Sequence, residues 1–349
     1  MELNVFNKNL ELIGIVDFYN SIIWTPRYHD VGDFELYLEA TPDTINLLQK
    51  DNYIGRNDDD MLCIIEKVQT VTDVENGQHL LVSGRDLKSL LSRRIVWEQT
   101  TVRGTVEAAI HQLINENIIN PTIHERRINN FTLAETKGFS ETIEMQITGK
   151  NLLETIVEIC GSYEYGFKVT LNDEKQFVFS LYKGVDRSYQ QSANPYVVFS
   201  PDFDNVKTVE YMTDKTEYKN TALVAGEGEG LERKTVTVGG GSDIDRYEIY
   251  VDARDVSTNE GEITIEDYNK LLSERGMENL TTLIMKESFS GDIEPSMNYE
   301  YKKDYFLGDI VQIENELGIT MSSRITEIIE CMDESGYSMV PTFATREGE

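Results

Sequence analysis

The stretch Asp33-Phe34-Glu35-Leu36-Tyr37-Leu38-Glu39 alternates polar and apolar side chains without a break. Such alternation is typical of a β-strand with one buried face and one wet face. Asp58-Asp59-Asp60 and Asn76-Gly77 have the composition of hairpin turns. Further strand candidates, rich in β-branched and aromatic residues, are IGIVDFY (13–19), SIIWTPRY (21–28) and MLCIIEKVQTV (61–71). The first 83 residues therefore predict a β domain.

Beyond residue 83 the apolar spacing becomes helical. Gly84-Arg85-Asp86 opens a predicted short helix with Leu87, Leu90 and Leu91 on one face. A second helix is predicted over residues 105–118, which have apolar side chains at the same period.

A third helix is predicted to begin after Asn151, with Glu154 placed as in a capping box, and to end at Gly161. Residues 164–183 follow it and predict a hairpin turning at Asn172-Asp173. The middle of the chain is therefore expected to contain helices beside a small β element.

The remainder of the chain returns to strands, with one long helix among them. That helix is predicted to start at Thr264, with Asp267 as its capping partner and Gly276 as a candidate break. Gly239-Gly240-Gly241-Ser242 indicates a flexible tip. The predicted strands are 196–199, 206–212, 219–225, 233–238, YEYKK (299–303), DIVQIEN (309–315), SRITEIIECM (323–332) and YSMVPTFAT (337–345). The fold class is thus α+β, mostly β.

Two parts of the sequence echo each other. Ile65-Glu66-Lys67-Val68 precedes a turn at Gly77, and Ile325-Thr326-Glu327-Ile328 precedes a turn at Gly336. Upstream of these hairpins, residues 32–36 (GDFEL) resemble residues 308–313 (GDIVQI). One interpretation is two related small β domains separated by the helical middle. The other is that any two β-hairpins look alike.

The charge of the chain excludes several functions. Its 349 residues contain 62 Asp and Glu against 32 Lys and Arg, a formal net charge of −30. A protein that grips nucleic acid needs a basic footprint, which this composition lacks. There is no unbroken apolar run of about 18 residues for a membrane span, and no secretory signal pattern opens the chain. Residues 201–349 alone carry a net charge of −19.

Few residues suggest a catalytic or metal site. Cys63, Cys160 and Cys331 lie far apart in apolar surroundings, so we expect reduced core thiols and folding in a reducing cytosol. The four histidines (His29, His79, His111 and His124) are expected at surface or boundary positions. Asn57-Asp58-Asp59-Asp60 lacks the ligand spacing of a calcium loop.

Sequence patterns for enzymes are equally sparse. Residues 226–230 (GEGEG) lack the Lys-Ser/Thr of a phosphate loop and carry two carboxylates that would repel phosphate. No Gly-x-Ser-x-Gly elbow is present. Paired carboxylates of a cell-wall hydrolase remain an alternative, because such pairs come from distant strands. A carbohydrate- or receptor-binding module with an aromatic groove near Trp24 or Trp97 is another.

Four segments, in this order, resemble the tail-hub proteins of long-tailed phages, prophages and phage-tail-like bacteriocins. The four segments are 28–36 (YHDVGDFEL), 84–94 (GRDLKSLLSRR), 218–228 (YKNTALVAGEG) and 305–311 (YFLGDIV). The likeness covers nearly the whole chain. It implies a structural protein of the virion tail tip or baseplate, with no enzyme activity, no catalytic, cofactor-binding or metal-binding residues, and no cofactor.

The resemblance also implies an architecture and a set of partners. Hub proteins of this kind form homotrimers in which two tube-like β domains per subunit present a pseudo-sixfold ring to a sixfold tail tube. The expected domains are a tube-like domain at 1–83, a helix-bearing middle at 84–195, and strands with one long helix at 196–349 that form the second tube-like domain. Expected partners are the tail tube or distal tail protein, and a separate spike, fibre or tail lysin that would carry any lytic activity.

The acidic composition takes on a mechanical meaning in such a hub. Duplex DNA carries about one negative charge per 1.7 Å of its axis, so a basic channel would hold it and an acidic one would let it slide. We therefore expect part of the excess acid to line a central channel through which DNA passes without specific binding.

Overall fold

A computed structural model describes residues 1–73, 77–258, 263–293 and 298–345 of the chain. Its strands are β1 (Leu3–Phe6), β2 (Leu12–Val16), β3 (Ser21–Thr25), β4 (Asp33–Glu39), β5 (Tyr53–Arg56), β6 (Leu62–Asp73), β7 (Gly77–Asp86), β8 (Thr100–Thr105), β9 (Phe131–Leu133), β10 (Thr142–Ile147), β11 (Gly166–Leu171), β12 (Phe177–Tyr182), β13 (Val198–Phe199), β14 (Val206–Asp214), β15 (Thr221–Ala225), β16 (Thr235–Gly239), β17 (Glu248–Asp252), β18 (Lys286–Ile293), β19 (Ile310–Glu314), β20 (Thr320–Asp333) and β21 (Gly336–Thr345). The α-helices are α1 (Pro42–Leu47), α2 (Val106–Ile114), α3 (Leu152–Ser162) and α4 (Ile265–Thr282). The mostly β, α+β prediction is confirmed.

The alternating stretch forms β4 as predicted. Phe34, Leu36 and Leu38 are buried in one core, while Glu35 and Glu39 are exposed. Asp58-Asp59-Asp60 lies in the turn between β5 and β6, which confirms that hairpin. The predicted Asn76-Gly77 turn falls partly on residues outside the described ranges.

Two five-stranded units have the same construction. In the first unit, strands β3 to β7 pair in the order β3-β4-β7-β6-β5, and in the second unit β14 and β18 to β21 pair in the order β14-β18-β21-β20-β19. All of these pairings are antiparallel. The units therefore match strand for strand along the chain, as an internal duplication would.

The long hairpins of the two units confirm one half of the sequence echo. The ladder shifts register between Ile65 and Lys67 in the first unit and between Ile325 and Glu327 in the second. Each hairpin thus has a β-bulge at the echoed position. The other half of the echo is wrong. The segment 32–36 leads into β4, whereas 308–313 leads into β19, which corresponds to β5.

The two units join edge to edge in one 13-stranded sheet. β20 pairs with β3 in antiparallel fashion, with Glu330 opposite Trp24 and Met332 opposite Ile22. An isolated bridge between Arg27 and Glu327 continues the same register. The predicted strand 299–303 is wrong, since that segment makes only a short bridge to Tyr305.

The middle region packs a separate core beside the first unit. A 3₁₀ helix at Leu87–Arg93 buries Leu87, Leu90 and Leu91 against α2 and α3, which confirms the short helix after Asp86. The Asn151 side chain accepts bonds from the backbone N–H of Leu153 and Glu154, so it caps α3 as predicted. The hairpin β11–β12 follows. The domain boundaries at residues 83 and 195 stay predictions.

A small α/β unit is inserted between β14 and β18. β15 pairs with both β16 and β17, and α4 covers this sheet after a Thr264 cap. The candidate break at Gly276 is wrong, because α4 continues through it. A Cβ at Gly276 would lie 2.5 Å from side-chain atoms of Val224 and Val238, so this glycine allows the helix to approach its sheet.

Cysteine and histidine positions agree only partly with expectation. Cys63 and Cys160 are buried free thiols, and Cys331 is half-buried. The expected surface or boundary position is wrong for His79, which is buried and stacks on Tyr37 with ring centroids 4.7 Å apart. Among the described helices, none is both long and apolar enough to cross a membrane.

Candidate functional site: an acidic sheet face and the junction beneath it

One face of the continuous sheet is rich in carboxylates. Strand alternation turns Ile22, Trp24 and Phe34 into the core of the first unit, so the neighbouring residues point the other way. We call that side the open face. Its charged members include the acids Asp33, Glu35, Glu39, Glu66, Glu210, Asp214, Glu327 and Asp333 and the bases Arg27, Lys67, Arg85 and Lys286. The open face is therefore strongly acidic.

Two bases of the open face, Arg27 and Arg85, are engaged in ion pairs. Arg27 contacts Asp33 at 2.6 Å and also pairs with Glu327, so it ties the two units together. Arg85 binds both carboxylate oxygens of Glu66, at 2.7 and 2.9 Å. These pairs are partly exposed and contribute modestly to stability.

The remaining acids of the open face keep their charge uncompensated. Within the described residues, Glu35, Glu39, Glu210 and Asp333 have no ion-pair partner, and all four are exposed. Carboxylates spread over a surface in this way add to one negative potential. Such a face repels polyanions overall, because its exposed bases Lys67 and Lys286 are outnumbered by its acids.

Beneath the open face, Tyr28 joins three parts of the chain. Its ring is fully buried, and its hydroxyl donates to the carbonyl of Glu164 at 3.0 Å and accepts from the N–H of Gly184 at 3.2 Å. A Cβ on Gly166 or Gly308 would lie 2.3 or 2.2 Å from the Tyr28 ring. The middle hairpin and the second unit therefore clamp this tyrosine from both sides.

Buried charges complete the junction around Tyr28. Lys88 donates to the carbonyls of Arg27 and Asp30 and lies 3.3 Å from Asp86. Burial raises the pKa of Asp86, although its carboxylate accepts from the N–H of Gly32 and Lys88. These contacts fix the 3₁₀ helix to the first unit.

Asp309 plays the matching part in the second unit. Its buried carboxylate accepts from the N–H of Val185 at 2.7 Å and of Phe306 at 3.0 Å, and pairs with Arg187 at 2.8 Å. Arg324 donates to the carbonyl of Gly308 and pairs with Glu164, both within 2.8 Å.

A cavity at the junction is lined by acids that are already paired. It measures about 470 Å³ and is lined in part by Asp58, Asp59 and Asp60. Each of these acids is already paired: Asp58 with Arg56, Asp59 with Lys302 and Asp60 with Lys168. Among the described residues, no group of His, Cys, Asp and Glu could hold a metal ion.

The two tryptophans have different environments. Trp24 is fully buried and donates its Nε1–H to Asp59 at 3.2 Å, so it cannot stack on a ligand. Trp97 is half-exposed, has the Arg126 guanidinium 5.0 Å from its ring and lines a cavity of about 290 Å³. Sequence reasoning quoted Tyr28 and Lys88 only inside the segments 28–36 and 84–94 and gave neither of them a role. The motif 84–94 that contains Lys88 was the available signal.

Solved structures with this fold come from tails and prophages. The tail protein from Neisseria meningitidis MC58 matches with a TM-score of 0.59 and 12% identity, covering 98% of this chain and 95% of that one. The 43 kDa tail protein of prophage MuSo2 from Shewanella oneidensis gives 0.58 and 14%, covering 99% and 98%. Prophage tail protein gp18 from Listeria monocytogenes EGD-e gives 0.56 and 11%, covering 100% and 96%. No curated protein matches the sequence significantly.

The fold is thus that of phage tail structural proteins, as the resemblance predicted. The family model of siphovirus ReqiPepy6 Gp37-like proteins matches residues 2–343, and the chain belongs to that family.

Proposed function

We propose that the protein is the hub at the distal end of a phage or phage-like tail, where three copies form a ring. The observation that carries this proposal is the pairing of two matched five-stranded units in one sheet. Three such chains would offer six equivalent units to a sixfold tube. In this proposal 1–83 and 196–349 supply the tube-like domains and 84–195 the middle.

The open face would line the channel of this ring. Its acids outnumber its bases, and four of them have no ion-pair partner among the described residues. A wall with a net negative charge repels the DNA backbone and offers few counter-charges to retain it. DNA would therefore pass without specific binding.

The hub would be a connector without enzyme activity. Its partners would be the tail tube or distal tail protein on one side and a spike, fibre or tail lysin on the other. The protein would fold in the host cytoplasm and function in the virion. Support comes from the buried junction charges, which are all used in structural contacts.

The channel proposal is tested with particles assembled from variant hubs. Glu35, Glu39, Glu210 and Asp333 are changed together to Lys, and ejection of DNA is timed. We expect complete particles in which ejection is slowed at least about tenfold at low salt and recovers at high salt.

The matched control makes the same charge change on the inserted α/β unit. It replaces the exposed acids Glu229, Glu232, Asp243 and Asp245 with Lys. Equal ejection rates in both variants would contradict the acidic channel, and a monomer in solution and in particles would contradict the ring.

Trp97 supports a second candidate function, binding of carbohydrate at the tail tip. A half-exposed indole beside a polar cavity suits stacking on a sugar ring. Loss of adsorption to host cells in a Trp97→Ala variant, with tail assembly intact, would favour this candidate.

A further inference from the structure

Several strand edges of the sheet have no partner in the described residues, and those of β14 and β6 are of interest here. β14 ends the sheet beyond the second unit. β6 pairs with β5 only through Leu62, Cys63 and Ile64, so its outer edge is open beyond the bulge. Open edges present unpaired N–H and C=O groups and can pair with another chain.

The chain itself contains a template for such pairing. Where β20 passes its own bulge, its outer edge pairs with β3. β20 corresponds to β6 in the duplication, and β3 corresponds to β14. The open edge of β6 is therefore equivalent to the edge of β20, which is already occupied by β3, the counterpart of β14.

The two bulges fix which residues of β6 correspond to which residues of β20. Lys67 follows the bulge in β6 as Glu327 does in β20, so Thr70 is the counterpart of Glu330. The correspondence between residues of β14 and residues of β3 follows from the strands that neighbour them. Trp24 lies opposite Phe34, and Tyr211 lies opposite Phe289.

Phe34 and Phe289 are themselves counterparts, because they face Gly84 and Phe343, which occupy the same place in β7 and β21. Tyr211 is therefore the counterpart of Trp24. Since Glu330 lies opposite Trp24 within the chain, Thr70 is expected opposite Tyr211 of a second copy.

The charges of the residues brought together test this register independently, because they were not used to derive it. Within the chain, Arg27 lies opposite Glu327 and pairs with it. The counterparts of Arg27 and Glu327 are Asp214 and Lys67. The same register therefore brings another pair of opposite charges together, with acid and base exchanged between the strands.

We propose that β14 of one copy pairs in antiparallel fashion with the outer edge of β6 in the next, with Lys67 opposite Asp214. Each copy then contributes β14-β18-β21-β20-β3-β4-β7-β6 to a head-to-tail array of strands, and closure by rotation gives a ring. The number of copies in the ring, three, rests on the proposed function. This interface leaves the open faces of all copies on one side of the continuous sheet.

The β20–β3 pairing also indicates which residues of the two copies come closest. Tyr28 donates its N–H to Thr326, and Ile328 donates to Pro26, so these bonds flank Arg27 and Glu327. That pair is non-hydrogen-bonded and has the shorter spacing. By alternation, Gln69 opposite Met212 of the next copy is a close pair of the same kind. Both side chains are exposed in the single chain.

Disulfide trapping tests the register. The full-length Gln69→Cys, Met212→Cys variant is oxidised both in solution and in assembled tails, and its covalent multimers are counted on non-reducing gels. We expect linked dimers and a closed trimer, because close antiparallel pairs satisfy disulfide geometry. The control is Gln69→Cys with Asp214→Cys, a diagonal pair two residues out of register, and we expect at least about tenfold less product from it.

Charge reversal tests the same contact without new cysteines. Lys67→Glu should weaken association about tenfold or more by placing like charges together, and adding Asp214→Lys should restore it. The interface is wrong, and the proposed hub stands, if light scattering shows a trimer in which the Gln69→Cys, Met212→Cys pair does not cross-link. The same holds if Asp214→Lys does not rescue Lys67→Glu. A monomer both in solution and in tails overturns the interface and the proposed ring together.

Discussion

Arg56 Nη1 lies 3.0 Å from Glu330 Oε2, and both side chains are almost completely buried where the first unit meets the second. Arg56 ends β5 and Glu330 lies near the end of β20. Arg56 also binds Asp58, and Tyr337 donates its hydroxyl to Glu330 at 2.9 Å. Burial and the charge of Glu330 raise the pKa of Tyr337. This ion pair therefore lies at the seam of the sheet.

Removing one charge of the seam should destabilise the protein strongly. We expect Glu330→Gln to lower the free energy of unfolding by about 3 kcal/mol, because Arg56 keeps its buried charge without that partner. Replacing both residues, as Arg56→Leu with Glu330→Leu, should recover much of the loss. Urea unfolding measures both effects.

An exposed ion pair is the matched control for the seam. Arg246 lies 2.5 Å from Glu248 on the inserted unit, and Glu248→Gln should change the stability by less than about 0.5 kcal/mol. Equal effects of Glu330→Gln and Glu248→Gln would show that the seam ion pair does not hold the units together.

Gly308 should tolerate no side chain. Its φ of +95° is in the left-handed region, and a Cβ would lie 2.2 Å from the Tyr28 ring. We expect Gly308→Ala to cost about 3 kcal/mol from backbone strain and overpacking together.

Gly138 separates the two causes. It has a φ of +76° with nothing within 4 Å of an added Cβ, so Gly138→Ala should cost only about 1 kcal/mol of backbone strain. Thermal unfolding of the two variants gives the difference. Similar losses would mean that the Tyr28 clamp is looser than the distances indicate.

Local sequence patterns predicted the local structure well. The alternation of β4 and the caps at Asn151 and Thr264 depend on neighbours along the chain, so the sequence contains all that determines them. Gly276 depends instead on two valines of a sheet far away in sequence. A glycine in a helix has the same local appearance whether it breaks the helix or allows close packing.

The candidate site was only partly accessible from the sequence. The acidic excess was visible, but the acids that share the open face follow from strand register between distant segments. The seam between Glu330 and Trp24 is such a long-range pairing. The echo of GDFEL (32–36) with GDIVQI (308–313) misled because a Gly-Asp pair opens strands at different places in the two units.

Cys331 should be the reactive native thiol. It points to the open face and is half-buried, whereas Cys63 and Cys160 are fully buried. Burial raises the pKa of Cys331, so its reaction with a disulfide reagent near pH 8 should be slower than that of a free thiol. We expect one thiol per chain to be modified before unfolding and all three afterwards. Modification of Cys63 at the same rate would contradict the burial of the first core.

Glu278 should make the inserted unit more stable as the pH falls. Burial raises the pKa of its carboxyl above the usual 4.5, and Arg275 lies at 3.7 Å while Lys150, Glu158 and Asp255 also face it. A carboxyl with a raised pKa binds its proton more tightly in the folded state than in the unfolded chain. Stability from this group is therefore gained as the pH falls through the folded pKa toward 4.5, and is lost at higher pH.

Glu278→Gln removes the charge and should abolish that dependence. At pH 8 we expect the variant to be more stable by about 1 kcal/mol, because the buried carboxylate is no longer charged. This advantage should shrink as the pH falls toward 4.5. Thermal melts from pH 5 to 8 measure it, and Glu266→Gln, at an exposed position of α4, should show no such trend. A constant difference between Glu278→Gln and the unmodified protein across this range would mean that Glu278 titrates as it does in the unfolded chain.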